Sequence, residues 1–178
     1  MHKLRIRELA ALFTCLALAP TTTYAAKLIP GRCHMEYCDW FSIEEKDLTG
    51  TSKAGALFKI VMKHWQSHHP DGNYARKTPR KGGQAKTSYT FCSKTKPALI
   101  NRDVQGRWAA EYLPINSEFG PPGAQETATT IYFAACHAIG AGNREAITDL
   151  ARRFGYPERE EEGPEDKPVT QPEDILKP

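Results

Sequence analysis

The amino-acid sequence predicts an α+β, mainly β domain: a small antiparallel sheet followed by one or two helices and stabilised by two disulfides. Three observations carry this expectation. Short segments rich in β-branched and aromatic residues, separated by Gly, Pro and Asp turn signals, run from residue 39 to residue 113. The hydrophobic period then changes to that of an amphipathic helix between residues 128 and 154. Four cysteines, Cys33, Cys38, Cys92 and Cys136, follow a stretch that reads as an export signal, and an oxidising compartment favours their pairing.

At 178 residues the chain has room for one ordinary domain, and 40% hydrophobic with 25% charged residues suits a globular protein. Residues 1–26 read as a signal peptide. Lys3, Arg5 and Arg7 form the positive region, residues 9–19 the apolar region, and residues 20–26 the small-residue region before cleavage. The apolar region is too short to span a bilayer, and no later segment is long and apolar enough to do so. Cys15 is removed with the signal, since Phe13 and Thr14 poorly match a lipidation box. The mature chain is therefore expected to be exported, periplasmic or extracellular, and not membrane-spanning. Residues 27–156 form the single disulfide-stabilised domain, with 18 bases against 12 acids. Residues 157–178 carry eight acids against three bases and five prolines, which predicts a disordered acidic tail.

Within the domain, residues 39–44 (DWFSIE) read as a strand and residues 49–52 (TGTS) as a turn. Residues 56–66 (ALFKIVMKHWQ) are the clearest strand: Leu57, Val61 and Trp65 alternate with Phe58, Ile60, Met62 and His64. His68-His69-Pro70-Asp71-Gly72 closes a turn. Residues 75–87 have no apolar period and five bases, which predicts a mobile basic loop. Residues 88–92, 98–101 and 107–113 read as shorter strands, the last two separated by the Gln105-Gly106 turn. An antiparallel meander of four or five strands is the simplest assembly. Ala128, Ile131, Tyr132, Ala135, Cys136 and Ile139 then form a helical stripe ended by Gly140 and Gly142. Against it stands the β-propensity of residues 129–133 (TTIYF). In the second helix Asn143 is the N-cap, Ile147, Leu150, Ala151 and Phe154 form one face, and Gly155 and Pro157 end it.

The four mature cysteines allow three pairings, and the sequence leaves them open. A competing metal reading rests on the repeated Cys-His dipeptide at Cys33-His34 and Cys136-His137. Adjacent residues rarely aim at one ion, and there is no Cys-x-x-Cys pair. His64, His68 and His69 beside Asp71 suggest a metal-dependent hydrolase or nuclease, with a histidine as general base and nearby cations on a phosphate. No second ligand cluster accompanies them, so a polar turn is the plainer reading, and no cofactor is expected. Gly-x-Ser-x-Gly elbows and phosphate-binding glycine loops are absent from the sequence. The basic stretch Arg76, Lys77, Arg80, Lys81 and Lys86, with Lys94, Lys96, Arg102 and Arg107 nearby, suits an anionic surface. Tyr74, Tyr89 and Trp108 add stacking faces. Outside the cytoplasm the expected partner is an envelope protein or an anionic envelope polymer rather than nucleic acid.

The ordered pattern Met35-x-x-Cys38-x-Trp40, His69-Pro70-Asp71-Gly72, Phe91-Cys92-Ser93-Lys94-x-x-Pro97-Ala98 and Tyr132 to Cys136-His137 resembles a group of small exported bacterial proteins of uncharacterised function. That resemblance covers residues 33–137 and implies export and a shared fold, with no activity or ligand attached. The functional expectation is a non-enzymatic binding or inhibitor module of the bacterial envelope. A metal-dependent hydrolase built on His64, His68, His69 and Asp71 is the alternative, and a structural component of a surface assembly is the third reading.

Overall fold

A computed structural model describes residues 27–117, 121, 123–158 and 167–177. The signal-peptide expectation falls on residues outside that set. Seven strands form one antiparallel meander in chain order, followed in sequence by two helices before the last strand. They are β1 (Ile29–His34), β2 (Tyr37–Ser52), β3 (Gly55–His68), β4 (Arg80–Cys92), β5 (Ala98–Arg102), β6 (Trp108–Tyr112) and β7 (Lys167–Pro168). The helices are α1 (Glu126–His137) and α2 (Arg144–Arg153). The expected α+β, mainly β class holds, and so do two disulfides, Cys33–Cys38 and Cys92–Cys136.

Alternation along β3 sorts the sheet into two apolar faces. Ile60 and Met62 join Phe41, Ile43 and Leu99 beneath α1, whose Ile131, Tyr132 and Ala135 are buried against them. Helix wins over the β-propensity of residues 129–133 because this stripe meets a ready apolar face. Thr130 also donates to the Ala141 carbonyl at 2.7 Å, and Tyr132 Oη donates to the Ser93 carbonyl at 2.9 Å. Asn143 caps α2 as expected, its side chain accepting from the Ala146 amide at 2.8 Å. Ile147 and Ala151 of α2 are fully buried in the same cluster. Leu57, Phe91, Ala98, Ile100 and Ala110 occupy the opposite face of the sheet.

That opposite face overturns the expectation of a disordered tail for residues 167–177. Lys167 and Pro168 pair with Ala110 and Ala109, and the Val169 amide donates to the Trp108 carbonyl at 3.0 Å. A 3-10 turn, Pro172–Leu176, then lays Ile175 over Leu57 and its neighbours. Proline and acid dominate the composition, yet Val169, Ile175 and Leu176 suffice to close an apolar patch that the helices leave uncovered. Residues 159–166, the most acidic part of the tail, lie outside the described set.

Two local expectations are also corrected. Residues 49–52 continue β2 and the turn is at Lys53-Ala54, because the β2–β3 ladder runs on to Ser52 opposite Gly55. Gly50 serves close approach instead, since a Cβ there would lie 2.7 Å from Leu176 Cδ1. The basic stretch 75–87 is a loop only as far as residue 79. From Arg80 it is β4, paired with β3 from Ser67 onward. Its glycines form a β-bulge rather than a flexible linker: Gly82 and Gly83 have φ of 119° and 94°. A Cβ on Gly83 would meet the Trp65 indole nitrogen at 2.5 Å, so the missing side chain seats that ring.

Candidate functional site

The β1–β2 connection projects from one end of the sheet as a tip. Only Met35 and Glu36 separate His34 from Tyr37, and both have positive φ, 47° and 66°. Two-residue hairpins with this backbone favour Asn and Gly, because a Cβ is strained in the left-handed region. Here neither glycine nor asparagine is used. Three contacts hold the conformation. Cys33 and Cys38, direct cross-strand partners, are joined by a disulfide with 4.0 Å between their Cα atoms. The Glu36 carbonyl accepts from the His69 amide at 2.6 Å, and the Glu36 amide donates to Tyr74 Oη at 3.3 Å. The result is a clamped turn whose Met35 is 76% exposed beside a 46% exposed Tyr37. Such exposure of a large apolar side chain at a rigid apex has no role in the core.

The rest of the tip is built around His69. Trp40 Nε1 donates to Ser67 Oγ at 2.9 Å, and Ser67 Oγ lies 3.0 Å from His69 Nε2. His69 Nδ1 lies 3.1 Å from the Asn73 carbonyl, which can only accept. The network therefore assigns the proton to Nδ1, leaving Nε2 to accept from Ser67. Ser67 and His69 are each 2% exposed, so this Ser-His pair is a strut for the 69–79 loop with no route to a substrate.

The other residues of the expected metal cluster are engaged separately. His64 Nε2 is 2.8 Å from Asp39 Oδ1 and stacks on Phe41 with ring centroids 4.9 Å apart. That hydrogen bond, with help from Gln66, holds the Asp39 carboxyl below its usual range despite partial burial. His68 stacks on Tyr37 at 4.7 Å and lies 3.5 Å from a Glu36 carboxylate oxygen. Asp71 accepts from the Asn73 amide at 3.1 Å and faces Arg76 at 3.6 Å. Among the described residues no three His, Cys, Asp or Glu side chains come together at ligand spacing.

The structure divides the five expected binding cations. Arg76 and Lys77 are exposed on the 69–79 loop, and Arg80 and Lys81 open β4 beside Ser67 and Gln66. The Arg80 guanidinium lies 4.0 Å over the Trp40 ring. These four share the tip, where residues 32–38 and 66–81 together hold five Lys or Arg against two acids. Lys86 is apart from them, opposite Met62. A cleft of about 600 Å³ adjoins the turn, lined by Arg32, Met35, Tyr37 and Asp39 among others. It runs between the β1–β2 hairpin and the start of α1, where Arg32 lies 3.7 Å from Glu126.

Sequence reasoning missed the turn itself, since Met35-Glu36 carries no turn composition. It also missed a buried polar chain behind the second disulfide. Tyr156 Oη donates to Tyr132 Oη at 3.0 Å, and His137 Nε2 lies 2.7 Å from Tyr156 Oη. Because the Tyr156 proton is spent on Tyr132, the imidazole must donate through Nε2. Burial, reinforced by Lys94 and Lys46, pushes the His137 pKa down, and burial pushes both tyrosine pKa values up. This chain ties α1 to the end of α2 and to the β4–β5 turn, and it is structural. Comparison with known families, curated proteins and solved structures gave no match.

Proposed function

We propose that this protein is an exported, non-enzymatic binding module that docks an acidic envelope protein through its disulfide-clamped tip. The observation that carries the reading is the exposed Met35 on a strained turn held by a disulfide, a backbone hydrogen bond and Tyr74. A pre-ordered apex loses little conformational entropy on binding, and an exposed apolar anchor on a tip with an excess of cations suits a pocket with a carboxylate rim. Arg76, Lys77, Arg80 and Lys81 supply those cations. Export rests on the signal-like residues 1–26, and two disulfides are in keeping with an oxidising compartment. Kinship with the small exported bacterial proteins of similar motif order belongs to the same proposal. In the fold Met35, Cys38, Trp40 and His69 of that pattern build the tip, and Cys92, Ser93, Cys136 and His137 surround the second disulfide.

The test is quantitative binding of the mature protein to envelope extract, followed by purification of whatever it recovers. Met35→Ser and the R76S/K77S/R80S/K81S variant should each weaken binding to the purified partner by about tenfold or more. Leu48→Ser, exposed at 60% on β2 away from the turn, should not. Full binding by both tip variants would overturn the reading.

A further inference from the structure

A second surface feature, separate from the tip, lies along β4. Strand β5 covers only Tyr89, Thr90 and Phe91 of β4, so among the described residues the outer edge of residues 80–88 has no strand partner. At roughly 3.3 Å per residue that is about 30 Å of open ladder, long for an edge in a folded protein. The bulge at Gly82 and Gly83 distorts its first part, leaving residues 84–88 regular.

A cleft of about 830 Å³ is centred on this regular part. Cations reach it from both faces of the sheet. Lys86 pairs with Met62 and so belongs to the helix-covered face, whereas Lys59 and Arg102 pair with Tyr89 and Trp108 on the opposite face. No acidic side chain lines it among the described residues. Arg102 is pre-positioned, its guanidinium 4.1 Å over the Trp108 ring and Nη1 bonded to the Gly106 carbonyl at 2.5 Å. Lys59 and Lys86 form no ion pair among the described residues, although Asp47 stands opposite Lys59 in the β2–β3 register. Asn101, which also lines the cleft, accepts from Ser88 at 2.6 Å through Oδ1.

We infer that the free edge of β4 accepts an acidic peptide segment in extended conformation, which adds to the sheet as an antiparallel or parallel strand. An incoming strand sends alternate side chains to opposite faces. Carboxylates on both of its faces would therefore meet Lys86 on one side and Lys59 and Arg102 on the other. Main-chain hydrogen bonds supply affinity and the cations supply selection. A compact anion would use the cations and leave the edge unpaired, so backbone pairing is the feature that separates the two cases. The site is independent of the tip.

The probe is a synthetic peptide of Glu-Glu-Thr-Thr repeats with the full mature protein, read by fluorescence anisotropy and by amide hydrogen exchange. The expected result is saturable binding, protection of residues 84–88, and affinity lower by about tenfold in K59S/K86S/R102S. A peptide N-methylated at alternate residues cannot complete the ladder and should lose binding in at least one of the two registers. Met35→Ser should leave peptide binding unchanged, which keeps failure here distinct from failure of the tip. Equal binding of both N-methylated peptides and the parent, protection by inorganic polyphosphate but not by peptide, or no binding at all would each overturn the proposal.

Discussion

Replacing each cystine pair by serines separates the two disulfides by the size of loop they close. In the chain-entropy account, closing a loop of n residues removes about 2.1 + 3.0 ln n cal/mol/K from the unfolded chain. For Cys92–Cys136, with a sequence separation of 44, this amounts to about 4 kcal/mol at room temperature. For Cys33–Cys38, with a separation of 5, it amounts to about 2 kcal/mol. The difference has a structural counterpart. Cys92–Cys136 joins the end of β4 to α1 across the helix-covered core, whereas Cys33–Cys38 joins neighbours already paired in one hairpin. Urea unfolding of oxidised mature protein and of the two double-serine variants measures both losses. The C33S/C38S protein should remain folded with a modest drop in midpoint and weakened tip binding. The C92S/C136S protein should lose about twice as much stability. Equal losses, or a larger loss at the tip, would refute the assignment of the short bridge to shaping the turn and the long one to holding the fold.

Three further outcomes follow from the same geometry. Converting Met35-Glu36 to Asn-Gly should stabilise the protein by up to about 1 kcal/mol by relieving two left-handed side chains, and should remove tip binding. Thermal unfolding and partner titration of that variant check both halves. Asp39 is depressed below its usual value of 3.8 chiefly by the His64 hydrogen bond, so the stability it contributes is present above that pH. It is lost as pH falls through the lower folded value, and acid titration of Asp39→Asn should show a shallower decline over that window. Ile175→Ala should cost about 2 kcal/mol in urea unfolding, because Ile175 is 9% exposed and closes the apolar face above Leu57 and Phe91. A freely disordered tail would give no change.

The residues that were legible in sequence are those whose partners are local. Alternation identified β3, Asn143 identified the start of α2, and Gly106, with φ of 79°, marked the β5–β6 turn. Three features escaped because their cause lies elsewhere in the chain. Residues 80–87 resemble a loop by composition, but β3 offers a ladder and Trp65 requires the glycines beside it. Ile175 and Leu176 are too few to predict structure alone, and they fold onto a patch formed by β3 to β6. Met35-Glu36 adopts a turn that its own residues disfavour because Cys33–Cys38, His69 and Tyr74 impose it. The same distinction explains the histidines. They are close in sequence, yet Asp39 and Tyr37 on β2 and Ser67 on β3 itself draw them to separate tasks. The basic residues were visible from composition, but their division between the tip and the β4 edge depends on register.

Site-specific photocrosslinking in the producing cell tests the proposed docking surface most directly. A benzophenone side chain is placed at position 35 in one strain and at position 48 in another, both exposed in the structure. A discrete adduct from position 35, absent from position 48 and lost in the R76S/K77S/R80S/K81S background, is the result expected of a tip that binds an acidic partner. Adducts of equal yield at both positions, or none at position 35 in protein shown to be folded and exported, would contradict it.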